Sequence, residues 1–168
     1  MLSILDKSYL AGAMDADGWF CIKRVSPKPE AHRHNVTYFV FIGFCQVQPE
    51  VPNLLHTEFG GSLQCRHQTE KRKGHKSNGW KANYYWTTTS QKACNAIREL
   101  MPFLKVKRGQ AELCLALQDS INMYRFTWAK KGVKSAQALP QEVIDTRTNI
   151  YEKLASLHDN RIIRRRLI

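Results

Sequence analysis

The sequence predicts an α+β fold with a four-stranded antiparallel sheet. Two pairs of apolar, strand-like runs are each joined by a polar, basic connection, and a helical segment precedes each pair. The C-terminal third reads as helices joined by a basic connection. With 168 residues, one domain can enclose a genuine core. The expected boundaries are a single domain over 1–160 and a basic tail over 161–168.

In chain order, the first helix ends in Tyr9-Leu10-Ala11-Gly12-Ala13-Met14-Asp15-Ala16-Asp17-Gly18. Ser3 or Asp6 caps its start, and Gly18 serves as a left-handed terminator. Trp19–Val25 reads as a strand, with Phe20 and Ile22 alternating against Cys21 and Lys23. Ser26-Pro27-Lys28-Pro29 breaks it, and a polar loop runs to Asn35. Val36–Val47 is the clearest strand, rich in β-branched and aromatic residues. Both of its faces are apolar, so the pattern does not say which is buried. A short helix over Pro49–Phe59 is expected to be poorly formed because of Pro49 and Pro52, and Gly60-Gly61 ends it. Ser62–Thr69 alternates, with Leu63, Cys65 and His67 on one side and Ser62, Gln64, Arg66 and Gln68 on the other. A hydrophilic connection follows, and Trp80–Thr89 returns as a strand. Ser90 caps a helix running to Pro102. A further helix spans Lys107 to about Tyr124, a basic connection covers Phe126–Leu139, and a last helix runs Pro140–Leu157.

Lysine and arginine total 26 against 14 acidic residues, a formal charge of +12 and a pI near 9.7. Such an excess favours a polyanionic partner or an anionic membrane surface. No apolar run is long enough to span a bilayer, and no basic-then-apolar segment opens the chain. Nucleic acid is therefore the expected partner; charge serving only solubility is the alternative. Cys21, Cys45, Cys65, Cys94 and Cys114 form no C-x-x-C pair, and their spacing suits reduced thiols in an intracellular protein better than zinc ligands.

The end of the first helix is unusual on physical grounds. Asp15 and Asp17 sit at the negative end of the helix macrodipole, where carboxylates are unfavourable. A bound cation is the simplest compensation. Gly12 and Ala16, four apart, form a small-residue ridge that another backbone can approach. A helix-interior glycine costs roughly 0.5–1 kcal/mol relative to alanine, which suggests a packing use.

Leu10-Ala11-Gly12-Ala13-Met14-Asp15-Ala16-Asp17-Gly18 resembles the nine-residue signature of the LAGLIDADG homing endonucleases, departing at Ala13 and Met14. Pro102-Phe103-Leu104-Lys105-Val106-Lys107-Arg108-Gly109-Gln110-Ala111-Glu112-Leu113 resembles the family's second recurring stretch, with Gly109 where a charge is more usual. The resemblance implies an αββαββα domain with a saddle-shaped sheet, and a homodimer because the signature occurs once. It further implies that signature helices pair through Leu10, Gly12, Ala13 and Ala16. Asp17 would then be the catalytic metal ligand, with the Ala16 carbonyl as a second oxygen. Such hard donors suit Mg²⁺, with Mn²⁺ as a substitute. Asp15 takes a supporting role.

A glutamine at the end of the second strand is expected near the metal-bound water. Gln46 is the first assignment and Gln48 the competing one. Lys107 would join the water network at the cleavage centre. Outward side chains of the sheet, Lys23, Gln64, Arg66 and Gln68, would read bases in the major groove. Lys28, His32, Arg33, His34, Lys71, Arg72, Lys73 and Lys81 would contact phosphate or flanking bases. The implied activity is a site-specific double-strand DNA endonuclease, with an RNA maturase or a non-cleaving DNA-binding protein as the alternative. The family implies a long, nearly palindromic target and 3′ overhangs. The implied setting is an organelle, a prokaryote or a phage.

Overall fold

The computed structural model describes residues 2–27, 36–66, 82–130 and 139–164. The elements are α1 (Ile4–Asp17), β1 (Gly18–Val25), β2 (Thr37–Gln46), α2 (Glu50–Phe59), β3 (Ser62–Arg66), β4 (Asn83–Thr89), α3 (Ser90–Leu100), α4 (Arg108–Lys130) and α5 (Gln141–Arg164), with a 3₁₀ turn over Met101–Phe103. The strands form one antiparallel sheet in the order β1-β2-β4-β3. The expected αββαββ order is therefore observed, followed by further helices. Contacts divide the chain into two compact units, Met1–Trp19 with Ile42–Lys107, and Phe20–Phe41 with Arg108–Ile168.

In the first unit, Ser3 caps α1 through a reciprocal box. Its hydroxyl accepts from the Asp6 amide at 3.1 Å, and the Asp6 carboxylate accepts from the Ser3 amide at 3.2 Å. Leu10, Ala11, Met14, Ile42, Phe44, Leu55, Trp86, Ile97 and Leu100 make the core. Trp86 is fully enclosed, and its indole N–H donates to the Gly60 carbonyl at 2.7 Å. Gly43 admits the Trp19 ring so closely that a Cβ there would lie 2.2 Å from Trp19 Cζ2. Gly61, at φ 97°, makes the turn into β3 and leaves no room for a side chain against the Thr87 carbonyl.

In the second unit, Phe20, Ile22, Tyr38, Val40, Ala111, Cys114, Leu117, Val143 and Leu154 are buried. The Tyr38 hydroxyl and Thr148 Oγ1 are 2.9 Å apart. Arg147 is buried on α5. Desolvation pushes its pKa down, and its guanidinium donates to the Ser120 hydroxyl at 3.3 Å and the Ser120 carbonyl at 3.2 Å. The apolar pattern of α5 does not reveal this buried cation.

Several local expectations are corrected. Gly18 is extended (φ −77°, ψ 168°), not left-handed. It must be glycine because a Cβ would stand 2.8 Å from the Met14 backbone. The helix α2 is regular over all ten residues. Pro49 takes the N-cap and Pro52 lies in the first turn, where a missing N–H removes no intrahelical bond. Ser90 is not a side-chain cap; Thr89 occupies the N-cap, and Ser90 takes a positive φ of 52°. The helix α4 continues to Lys130, and α5 continues through Arg164, into the stretch expected as a tail.

Candidate functional site

The site grows from the last turn of α1, entirely within the first unit. At the end of α1 one ammonium gathers three carbonyls, of which that of Met14 also accepts the Gly18 amide. Lys107 Nζ donates to the carbonyls of Met14 at 3.0 Å, Ala16 at 3.1 Å and Gly18 at 2.7 Å. The bond runs both ways between the segments. Asp15 Oδ2 accepts from the amides of Lys105 at 2.7 Å and Val106 at 3.1 Å, and Oδ1 accepts from the Lys107 amide at 2.8 Å. The cation expected to offset this carboxylate-bearing terminus is thus supplied by the chain itself. Asp15 has its supporting role, satisfied by three N–H donors.

Asp17, two residues on, is exposed. Beside it the outer face of α1 carries Leu5 at 81% exposure, Tyr9 at 60%, and exposed Gly12 and Ala16, with Ala13 half-buried. Leu10 was expected on this face, but it is fully buried in its own core. The helical period explains the shift: Leu10 and Met14 lie on one stripe, and Tyr9, Gly12 and Ala16 on another.

Gln46 is the last residue of β2, and its buried Oε1 has no hydrogen-bond partner among the described residues. An orphaned buried acceptor is costly and suits a bound water. Gln48 lies past the strand and is exposed. Asp17 and the Ala16 carbonyl are hard oxygen donors of the kind Mg²⁺ takes. Among the described residues, no group of three or more His, Cys, Asp or Glu could hold a metal alone. The donor set fits a divalent ion as a partial set, one that a second carboxylate must complete.

On β3, Ser62, Gln64 and Arg66 are exposed and linked side chain to side chain. Arg66 donates to Gln64 Oε1 through Nε at 3.1 Å and through a terminal nitrogen at 2.8 Å, and Gln64 donates to the Ser62 hydroxyl at 3.4 Å. The guanidinium lies 4.7 Å from the ring centre of Tyr85, the residue directly opposite Gln64 in the β3–β4 register. Tyr85 was not anticipated. A hydrogen bond with Cys45 raises its phenol pKa above the usual value. Lys23, also exposed, places its ammonium 4.9 Å from the Phe41 ring centre. Lys28, His32, Arg33, His34, Gln68, Lys71, Arg72, Lys73 and Lys81 lie outside the described residues. Trp86 faces the core and Tyr84 is half-buried.

The fold defined by these elements is that of the LAGLIDADG homing endonucleases. No family model and no curated protein sequence matches the chain. Among solved structures, the homing endonuclease I-CvuI, in complex with its target in the presence of calcium, superposes with a TM-score of 0.64. That match has 18% identity and covers 91% of this chain and 82% of that one. The archaeal intron-encoded homing endonuclease I-Vdi141I, complexed with DNA, gives 0.62 at 13% identity, covering 91% and 84%. The LAGLIDADG homing endonuclease I-GzeII, with its DNA target, gives 0.57 at 13% identity over 86% of this chain and 43% of that one.

Proposed function

We propose that this chain is a site-specific double-strand DNA endonuclease that works as a homodimer and depends on a divalent metal. The observation that carries the reading is the exposed Asp17 at the end of an uncovered, small-residue helix face. Two copies of α1 joined through Leu5, Tyr9, Gly12, Ala13 and Ala16 would bring two Asp17 carboxylates together. Asp17 and the Ala16 carbonyl of each protomer would hold Mg²⁺ or Mn²⁺. When bound, the ion supplies an activated water and neutralises charge on the pentavalent phosphate. Gln46 Oε1, buried without a partner among the described residues, would accept a hydrogen bond from a water at this centre. Lys107 belongs to the same centre through its hold on the Ala16 carbonyl. The net charge of +12 supplies phosphate attraction, while Lys23, Gln64 and Arg66 contact base edges in the major groove. Lys28, Arg33, Gln68, Lys71, Arg72 and Lys81 would extend the contact. A shared centre on a two-fold axis calls for a long, nearly palindromic site, cut so as to leave 3′ overhangs.

The test is a selection of cleaved sites from a randomised DNA library in Mg²⁺, with Ca²⁺ and EDTA as controls. The expected result is one recovered sequence, nearly palindromic, cut on both strands by the wild type and bound but uncut by Asp17→Asn. Recovery of no cleaved site, together with tight binding to structured intron RNA, would replace the nuclease by an RNA maturase. A monomer on bound DNA would overturn the shared centre.

A further inference from the structure

We propose that Tyr85 is a specificity-determining positioning residue: together with Gln64 it fixes the Arg66 guanidinium so that β3 reads a guanine in each half-site. The assignment rests on the reading of the exposed sheet face as the surface that meets DNA, and it divides the work among the side chains there. Ser62, Gln64 and Arg66 alternate onto one face of β3, and Tyr85 stands directly opposite Gln64 in the register. Asn83 is the partner of Arg66, so the guanidinium reaches Tyr85 along the diagonal and lies 4.7 Å from its ring centre. The ring is itself tethered, because the Tyr85 hydroxyl hydrogen-bonds Cys45 on the neighbouring strand β2.

The donors left over define the ligand. A guanidinium carries five N–H groups in a rigid fork. Gln64 Oε1 takes the Nε–H at 3.1 Å and one Nη2–H at 2.8 Å, which occupies one edge of the fork. The edge formed by Nη1 and Nη2 keeps a parallel pair of N–H groups with no partner among the described residues. Such a pair needs two adjacent acceptors, and in the major groove guanine offers both on one base through N7 and O6. Gln64 is left unable to identify an adenine. Both lone pairs of its Oε1 are taken by Arg66, and its Nε2 donates to the Ser62 hydroxyl at 3.4 Å. Adenine requires a free acceptor for N6–H₂ as well as a donor for N7. A guanidinium held by ring and amide before DNA arrives also loses little rotamer freedom on binding.

Wild type, Tyr85→Ala, Tyr85→Phe and Gln64→Ala would be compared in two ways. In DNA-free protein, NMR should show the Arg66 Nε–H of wild type exchanging about tenfold more slowly than that of Gln64→Ala. The Arg66 side-chain protons should carry an upfield ring-current shift that Tyr85→Ala removes and Tyr85→Phe keeps. From a randomised duplex library, sites are selected both by binding in Ca²⁺ and by cleavage in Mg²⁺. Wild type should prefer guanine about tenfold or more at one pair of symmetry-related positions, falling to about threefold or less in Tyr85→Ala and Gln64→Ala and restored in Tyr85→Phe. An unshifted, freely exchanging Arg66 side chain would overturn the proposal. So would an adenine preference that Gln64→Ala abolishes at other positions, or binding weakened equally for every sequence, as a phosphate contact predicts. Binding without cleavage by the wild type would fail the nuclease reading alone, because the guanine preference is still measured in Ca²⁺.

Discussion

Asp15 and Asp17 stand two residues apart at one helix terminus, yet removing their charges should move stability in opposite directions. Asp15 accepts three amide N–H groups with its two oxygens. In Asp15→Asn one oxygen becomes an NH₂ that faces donors, so at least one of the three bonds is lost. The remaining bonds pass from charge-assisted to neutral, from about 1.5–3 kcal/mol down to about 0.5–1.5 kcal/mol each. Asp15 is half-exposed, and water makes up part of the loss. The net cost is about 2 kcal/mol. At an m-value of about 2 kcal/mol/M in urea, the unfolding midpoint falls by about 1 M. Asp17 is exposed at the carbonyl end of α1, and its carboxylate has no hydrogen-bond donor among the described residues. Asp17→Asn relieves an unfavourable dipole interaction and stabilises the metal-free protein by about 0.3–1 kcal/mol. Urea unfolding followed by tryptophan fluorescence, in EDTA, measures both. Equal effects, or a destabilising Asp17→Asn beside a neutral Asp15→Asn, would refute the division of labour between the two carboxylates.

Gly12→Leu tests the uncovered face. Nothing stands within 4 Å of a Cβ at Gly12, and helix propensity favours the change by about 0.8 kcal/mol, so the fold should hold while self-association and cleavage are lost; sedimentation with circular dichroism separates the two. Gly43→Ala should cost about 1–3 kcal/mol or more, because the new methyl group meets the Trp19 ring and the Trp86 carbonyl; a midpoint within error of wild type would sink the packing argument. Of the five thiols, exposed Cys65 should be alkylated first under native conditions, and buried Cys94 and Cys114 only on unfolding, as mass spectrometry of peptides would show. Burial raises the Cys21 thiol above its ordinary value of 9.0, so the folded state holds that proton longer than the unfolded chain. Its contribution to stability is present below 9.0 and lost as pH rises through the folded value, and Cys21→Ala should flatten stability against pH in that alkaline window.

Local patterning carried the element order. The alternation of Phe20 and Ile22, the β-branched run through β2 and the glycine pair at 60–61 each have a short-range cause, so they were legible without coordinates. The same holds for Ser3 as one of two candidate caps and for the position of Asp17 at the end of its helix, whereas the reciprocal box between Ser3 and Asp6 was not read. What escaped were choices made by partners distant in the chain. Leu10 and Gly12 are two letters apart, and only packing says that one is core and the other surface. Pro52 looked like a helix breaker because its place in the first turn depends on where α2 starts. The buried Arg147 is explained by Ser120, 27 residues earlier. The clasp between Asp15 and residues 105–107 joins positions about 90 apart.

The sequence by itself determined the strand and helix order, the excess positive charge and an acidic helix terminus in need of a cation, because each follows from neighbours within a turn or two. Tertiary structure alone decided that the compensating cation is the Lys107 ammonium, that Leu10 faces inward, and that Arg66 lies over Tyr85. Those outcomes depend on bringing distant segments within 3–5 Å, and periodicity along the chain holds no information about such distances.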